Sequence, residues 1–292
     1  MYDIFFTFAA LFHLIKKSME KLGILAGNGA MPKEVVEYCK ATDREFFVVG
    51  LEPHVLPETL QDAPHITAKI GEIGKILKNF QKNQVKEIVF AGGVRRPSLI
   101  ELIPDWEGAK LMTKLAIKKM SDDDIFNFLI KEIESKGFKV VGAQEVMPYV
   151  LISDGICGKT KPTKEDFEDI KVGIKVSKTL GALDIGQACV VQEGVILAVE
   201  AKEGTDGMMD RIPSLKRTGK APVVVKTARP GQDPRVDMPT IGPKTIEAMK
   251  RNGIKGMAVE GGGTILLEKD KTMKMADEAK IFIVGVRDEN QS

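Results

Sequence analysis

The sequence predicts an α/β protein with a Rossmann-like, parallel-sheet amino-terminal domain followed by a separate α/β (α+β) domain. Three observations predict it. Short β-branched runs alternate with apolar-periodic helical segments through the first half, the pattern of a parallel sheet with helices on its faces. Two of those runs end in glycine turns, Gly27-Asn28-Gly29 and Gly92-Gly93, at the strand ends where such sheets take ligands. Gly155, Gly158 and Pro162 then gather among polar residues, and a different, hairpin-containing pattern follows. These features divide the chain into residues 1–18, an amino-terminal domain over 19–150, a linker near 147–162 and a carboxy-terminal domain over 163–292.

The first strand is expected over 21–26. Its glycine turn leads into a helical pattern over 34–41, with Pro32 near the first turn, where its missing N–H does no harm. A strand over 45–51, a helix over 75–83 and a strand over 87–91 follow. Neither glycine turn completes GxGxxG, and no acidic residue closes the second strand, so the dinucleotide fingerprint is not met. Beyond the second turn, Arg95 and Arg96 place charge where a phosphate could approach, against the plainer reading of a solvated basic pair. A helix is expected over 108–120. Ser121 or one of Asp122, Asp123 and Asp124 then caps a helix over 125–136. Capping explains one of these carboxylates well and three poorly. A strand over 138–146 closes this half.

In the second half a charged helix over 164–180 precedes strands over 188–192 and 195–201. Glu193-Gly194 between them has the length and composition of a two-residue hairpin turn. Asp206 reads as the N-cap of a helix over 207–214. A helix over 245–252 and strands over 256–260, 264–268 and 281–286 complete the chain, with Gly261-Gly262-Gly263 as a tight link between the first two of these strands.

Charge and residue usage narrow the chemistry. With 43 basic against 41 acidic side chains the net charge is +2, which gives no ground for bulk nucleic-acid binding. Cys39, Cys157 and Cys189 are scattered and read as buried thiols in a reducing compartment. The apolar run from Ile4 to Ile15 is shorter than the roughly 20 residues that span a bilayer. Asp3 before it and Lys16-Lys17 after it also argue against a secretory signal. A start codon assigned too far upstream of Met19 is the favoured reading, and an interfacial anchor the alternative. No histidine follows His65, so the second half has nothing with which to build a His-ligated zinc site.

The second half is organised around residues 226–243, KTARPGQDPRVDMPTIGP, a long loop between a strand and a helix. Asp233, Arg235 and Asp237 alternate along it and would share one face of an extended backbone, while Pro230, Pro234 and Pro239 forbid a helix. A solvated turn rich in Pro and Asp is the plain alternative. Acidic residues also gather at the ends of other elements, at Asp184, Glu200, Glu203 and Asp206, and Lys226 and Arg235 join them. Carboxylates with cations suit a phosphate and a hard divalent ion such as Mg²⁺.

LGILAGNGAMP, AGGVRRPSL, LIPD, SDDD, LDIGQACVV, VEAKEGTDGMMDR and RPGQDPRVDMPTIGP resemble the LpxI type of UDP-2,3-diacylglucosamine pyrophosphatase, from about Met19 to the closing FIVGVRD. The resemblance implies hydrolysis of UDP-2,3-diacylglucosamine to UMP and 2,3-diacylglucosamine 1-phosphate, dependent on Mg²⁺ with Mn²⁺ as an alternative, in lipid A biosynthesis. It places Asp237 at the aspartate believed catalytic, beside Arg235 and Lys226, with Arg229 as a further cation. Asp206, Asp233 and Asp237 are the metal candidates. Gly27, Asn28, Gly29, Gly92, Gly93, Arg95, Arg96, Asp123, Asp124, Gln187, Thr205 and Thr240 are those for substrate or nucleotide. Ala228-Arg229 departs from the usual Lys before Pro but keeps a cation. A lipid sugar-nucleotide substrate implies peripheral contact with the cytoplasmic face of the inner membrane, and a homodimer is left open. A nucleotide-binding regulator or scaffold without turnover is the competing reading.

Overall fold

The computed structural model describes residues 19–94, 104–109 and 122–287, apart from the side chains of residues 122–124. The chain forms two units, Met1–Met147 and Pro148–Ser292. The expected helix over 108–120 falls largely outside the described residues.

In the first unit, β1 (Leu22–Ala26) is apolar and almost wholly buried, as a strand covered on both faces must be. It is joined by β2 (Phe46–Glu52), β3 (His65–Lys69), β4 (Glu87–Ala91) and β5 (Lys139–Val141) in the order β3-β2-β1-β4-β5, all parallel. The helices are α1 (Met31–Ala41), α2 (Pro57–Leu60), α3 (Ile73–Lys82), α4 (Asp122–Ser135) and α5 (Ala143–Val146). The strand order reverses between β1 and β4, the crevice position where open parallel sheets bind ligands. Ala26 of β1 pairs in register with Ala91 of β4, so the two glycine turns leave the sheet at one level.

The second unit holds a mixed six-stranded sheet, β6-β13-β11-β9-β7-β8. Its strands are β6 (Gly155–Cys157), β7 (Ala188–Gln192), β8 (Val195–Val199), β9 (Val223–Lys226), β11 (Gly256–Glu260) and β13 (Phe282–Val286). The central three run parallel, β7 and β8 form an antiparallel hairpin, and β6 is an antiparallel edge. One face is covered by the long helix α6 (Lys164–Ala182), whose Ile170 packs on Cys189, Val225 and Phe282. The other face carries α7 (Gly204–Asp210), α8 (Ile212–Leu215), α9 (Pro243–Arg251) and α10 (Lys269–Glu278), packed through Met208, Met209, Ile212 and Met249. Two short strands, β10 (Thr240–Ile241) and β12 (Ile265–Leu266), pair with each other outside the main sheet.

Several sequence expectations need correction. The strand expected over 138–146 stops at Val141, and α5 follows from Ala143; its N-cap amide at Gly142 is held by Glu145 at 2.8 Å. The short or polar elements α2, β3, β6, β10 and α10 have no counterpart among the expected ones; β6 lies in the expected linker. The glycine run 261–263 is the tight link between β11 and β12 that was expected, although the two strands enter different sheets. Within it Gly262 donates to Ile152 O at 2.7 Å, and a Cβ at Gly261 would strike Asp154. Asp206 lies in the first turn of α7 rather than at its cap, which is Glu203. Cys39 and Cys189 are buried, and burial pushes both thiols up to about 11, but Cys157 on edge strand β6 is partly exposed. The Glu193-Gly194 turn matches expectation. Both residues have positive φ, and the Asp169 carboxylate accepts their amides at 3.0 and 2.6 Å.

Candidate active site

Lys226 is the last residue of β9, and a strand enclosed by neighbours on both sides carries its side chain into the interior. It is only 9% exposed. Its Nζ donates to Thr205 Oγ1 at 3.1 Å, Thr205 donates to Glu200 Oε1 at 2.6 Å, and Glu200 Oε2 accepts from the Gln187 amide at 2.9 Å. Burial holds the Lys226 ammonium below its ordinary range, against the opposing pull of Glu200, Asp206 and Asp237. A cavity of about 300 Å³ opens here, lined by Thr205, Asp206, Lys226, Thr240, Thr245 and Met257 among others. A buried cation beside a polar cavity is equipped to meet an anionic ligand.

The loop after β9 is not extended. Asp233 folds back on Arg235, accepting from its backbone N at 2.9 Å, from Nε at 3.0 Å and from Nη2 at 2.7 Å. The amides of Val236 and Asp237 both reach the Asp233 carbonyl at 3.2 Å. This is the local competition by which an aspartate captures the amide two residues on. Asp233, Arg235 and Asp237 therefore do not form one row. Hydrogen bonding from Arg235 holds the Asp233 carboxyl below the usual range. Asp237 instead pairs with Arg229, whose Nη2 lies 2.9 Å from Oδ2, while Arg229 Nη1 holds Asp184 Oδ1 at 2.7 Å.

Gln187 reaches the site through its backbone, donating to Glu200, while its carbonyl accepts from Thr227 N at 3.0 Å. Its side-chain oxygen and Thr227 Oγ1 are buried without a hydrogen-bond partner among the described residues. Buried orphans of this kind are commonly satisfied by a ligand or water. Thr240 lines the cavity and donates to Met238 O at 3.0 Å. The sequence reading passed over Thr245, Met257 and Glu260. Glu260 ends β11 beside the end of β9 and accepts the Ala228 amide at 3.0 Å. A charged residue closing a parallel strand was the available signal, the same one that singled out Lys226.

In the first unit the two glycine turns are bound to each other. Asn28 and Gly93 exchange backbone hydrogen bonds of 2.7 and 2.9 Å, and Gly27 N donates to Ala91 O at 2.8 Å. A Cβ at Gly27 would lie 2.5 Å from Gly93 O, and one at Gly92, where φ is +83°, 2.3 Å from Asn28 O. Gly29, with φ +98°, and Gly93 have open space among the described residues where a Cβ would stand. Arg95 and Arg96 and the side chains of Asp123 and Asp124 lie outside the described residues.

Among the described residues, no three His, Cys, Asp or Glu side chains converge as a self-sufficient ion cage. A Mg²⁺ site needs only one or two carboxylates when substrate phosphate oxygens complete it. Asp206 and Asp237, both acting on Lys226, fit that donor chemistry. Asp233 has both oxygens engaged by Arg235.

Residues 21–150 match the family described as the LpxI N-terminal domain, and residues 153–284 the LpxI C-terminal domain. The UDP-2,3-diacylglucosamine pyrophosphatase LpxI of Caulobacter vibrioides is 38% identical over 275 residues, covering 92% of this chain and 98% of that protein. Among solved structures, an N5-carboxyaminoimidazole ribonucleotide synthetase from Thermotoga maritima shares 14% identity. It covers 63% of this chain and 42% of that one, and its TM-score of 0.22 is too low to bear on the fold.

Proposed function

Because the chain belongs to the LpxI family, we propose that it hydrolyses the pyrophosphate bond of UDP-2,3-diacylglucosamine, giving UMP and 2,3-diacylglucosamine 1-phosphate in lipid A biosynthesis. The observation that supports this most is the buried Lys226 ammonium at the wall of a polar cavity, with Asp206 and Asp237 acting on it. Lys226 binds a phosphate oxygen and stabilises the charge that grows as the P–O bond breaks. Arg229 orients Asp237, and Asp237 orients the attacking water or holds the metal. Mg²⁺, or Mn²⁺ in its place, would be held by Asp206 and Asp237 with phosphate oxygens and would neutralise pyrophosphate charge. The glycine turns of the first unit receive the nucleotide, whose phosphate can come close to backbone that has no side chain in the way.

Among the described residues no helix is long and apolar enough to cross a membrane. The protein meets its lipid substrate peripherally, at the cytoplasmic face of the inner membrane. Turnover of UDP-2,3-diacylglucosamine in ¹⁸O-water tests the reading. Label appearing in UMP or in the lipid phosphate identifies the phosphorus attacked, and failure to release either product would refute the assignment.

A further inference from the structure

Glu200 is 7% exposed, and both of its oxygens are engaged within the second unit, Oε2 by the Gln187 amide and Oε1 by the Thr205 hydroxyl. Their approach is built into the backbone. A Cβ at Gly186 would lie 2.3 Å from the Glu200 carbonyl oxygen, so only glycine lets the two segments come this close. An ionised carboxylate can only accept, and a hydroxyl has one proton. The 2.6 Å contact therefore uses the Thr205 proton, and the 3.1 Å contact between Thr205 and Lys226 must run from the ammonium to the hydroxyl oxygen. One of the three Lys226 N–H bonds is thereby tied back, which fixes the direction of the other two.

We infer that Glu200 is a positioning residue: by taking the Thr205 proton it makes Thr205 an acceptor for Lys226 and aims the remaining ammonium protons into the cavity. Glu200 acts through Thr205 and touches no reacting atom. The inference rests on Lys226 being the group that meets the pyrophosphate.

Glu200→Gln leaves one side-chain oxygen for two donors and turns an N–H₂ towards one of them, so the Thr205 proton is freed to point elsewhere. Thr205→Val removes the hydroxyl with little change of shape. In folded proteins, each variant should lower kcat roughly 10- to 100-fold while KM moves by less than about threefold. The double variant should be no worse than the weaker single one, because both remove the same link. Thr205→Ser should recover much of what Thr205→Val loses. Effects that multiply in the double variant would overturn the inference.

A readout independent of turnover is the exchange of Lys226 Nζ protons in ¹⁵N-lysine-labelled protein, with the resonance assigned by Lys226→Arg. Exchange should be slow in the parent and faster in Glu200→Gln and Thr205→Val. Equal exchange in all three would overturn the inference. A parent that shows the exchange difference but no hydrolysis would instead refute the pyrophosphatase reading alone.

Discussion

Arg229 holds Asp237 directly, with 2.9 Å between Nη2 and Oδ2, in a loop whose other aspartate, Asp233, is tied to a different arginine. The two carboxylates therefore have different duties despite lying four residues apart. Asp237 has a side chain 38% exposed and an oxygen outside this ion pair, so it can reach a ligand. Asp237→Ala should lower kcat on the order of 10²–10³-fold with a much smaller change in substrate affinity, as expected where an interaction matters mainly in the transition state. Steady-state kinetics beside thermal melts make the check. A folded variant turning over near the parent rate would remove Asp237 from the mechanism.

Asp233→Ala should leave more of the turnover and cost stability instead. It breaks a charged pair and a turn together, at roughly 1–2 kcal/mol once solvent at Arg235 is allowed for. The pH dependence follows from the lowered Asp233 carboxyl, caused first by hydrogen bonding from Arg235. Its contribution is fully present above the unfolded-state value of roughly 3.9 and is lost as pH falls through the lower folded value. Urea unfolding of the parent and of Asp233→Asn should therefore differ most near neutral pH and converge in strong acid. A difference that widens on acidification would contradict this assignment.

The central strands β1, β2 and β4 of the first unit's sheet were legible because they are largely buried and read as apolar runs, whereas polar, exposed edge strand β3 was not. The elements that escaped were those whose identity depends on a partner. Polar β6 is a strand only because β13 offers its edge, and β10, inside the 226–243 loop, only because β12 pairs with it. The candidate site was legible in composition but not in geometry. Lys226, Asp206 and Asp237 stood out as charges at element ends. That Asp233 would curl onto Arg235, leaving Arg229 to Asp237, depends on side chain and backbone competing for the same amide, which alternation of residue types does not reveal. Glu260 carries the same strand-end signal as Lys226, but its carboxylate serves a backbone N–H, a duty that no motif records.

Metal removal makes a separate prediction. Because no cage of three ligands exists among the described residues, the ion would be held largely through substrate oxygens and should bind the free protein weakly. EDTA should abolish hydrolysis, with Mg²⁺ or Mn²⁺ restoring it, while leaving the melting temperature of the substrate-free protein unchanged. Full activity after exhaustive chelation would exclude the ion from the reaction, and a large drop in melting temperature would mean that a tighter structural site exists.

The glycine turns allow structure and binding to be separated within a few residues. Gly27 lies against the Gly93 carbonyl, where a methyl group would sit 2.5 Å away, so Gly27→Ala must push the two turns apart. Overpacking of this kind costs about 1–3 kcal/mol, visible as a lower melting temperature. Gly93→Ala meets nothing within 4 Å among the described residues, and its stability should change by no more than about 0.5 kcal/mol. The same open space is what a phosphate would use to approach the Gly93 backbone, at the strand-order reversal where ligands enter such sheets. Gly93→Ala should therefore weaken UMP binding, measured by calorimetry, without altering the melt. Unchanged UMP affinity in a normally stable Gly93→Ala protein would mean that the nucleotide does not sit over these turns and that their glycines serve only to let β1 and β4 end side by side.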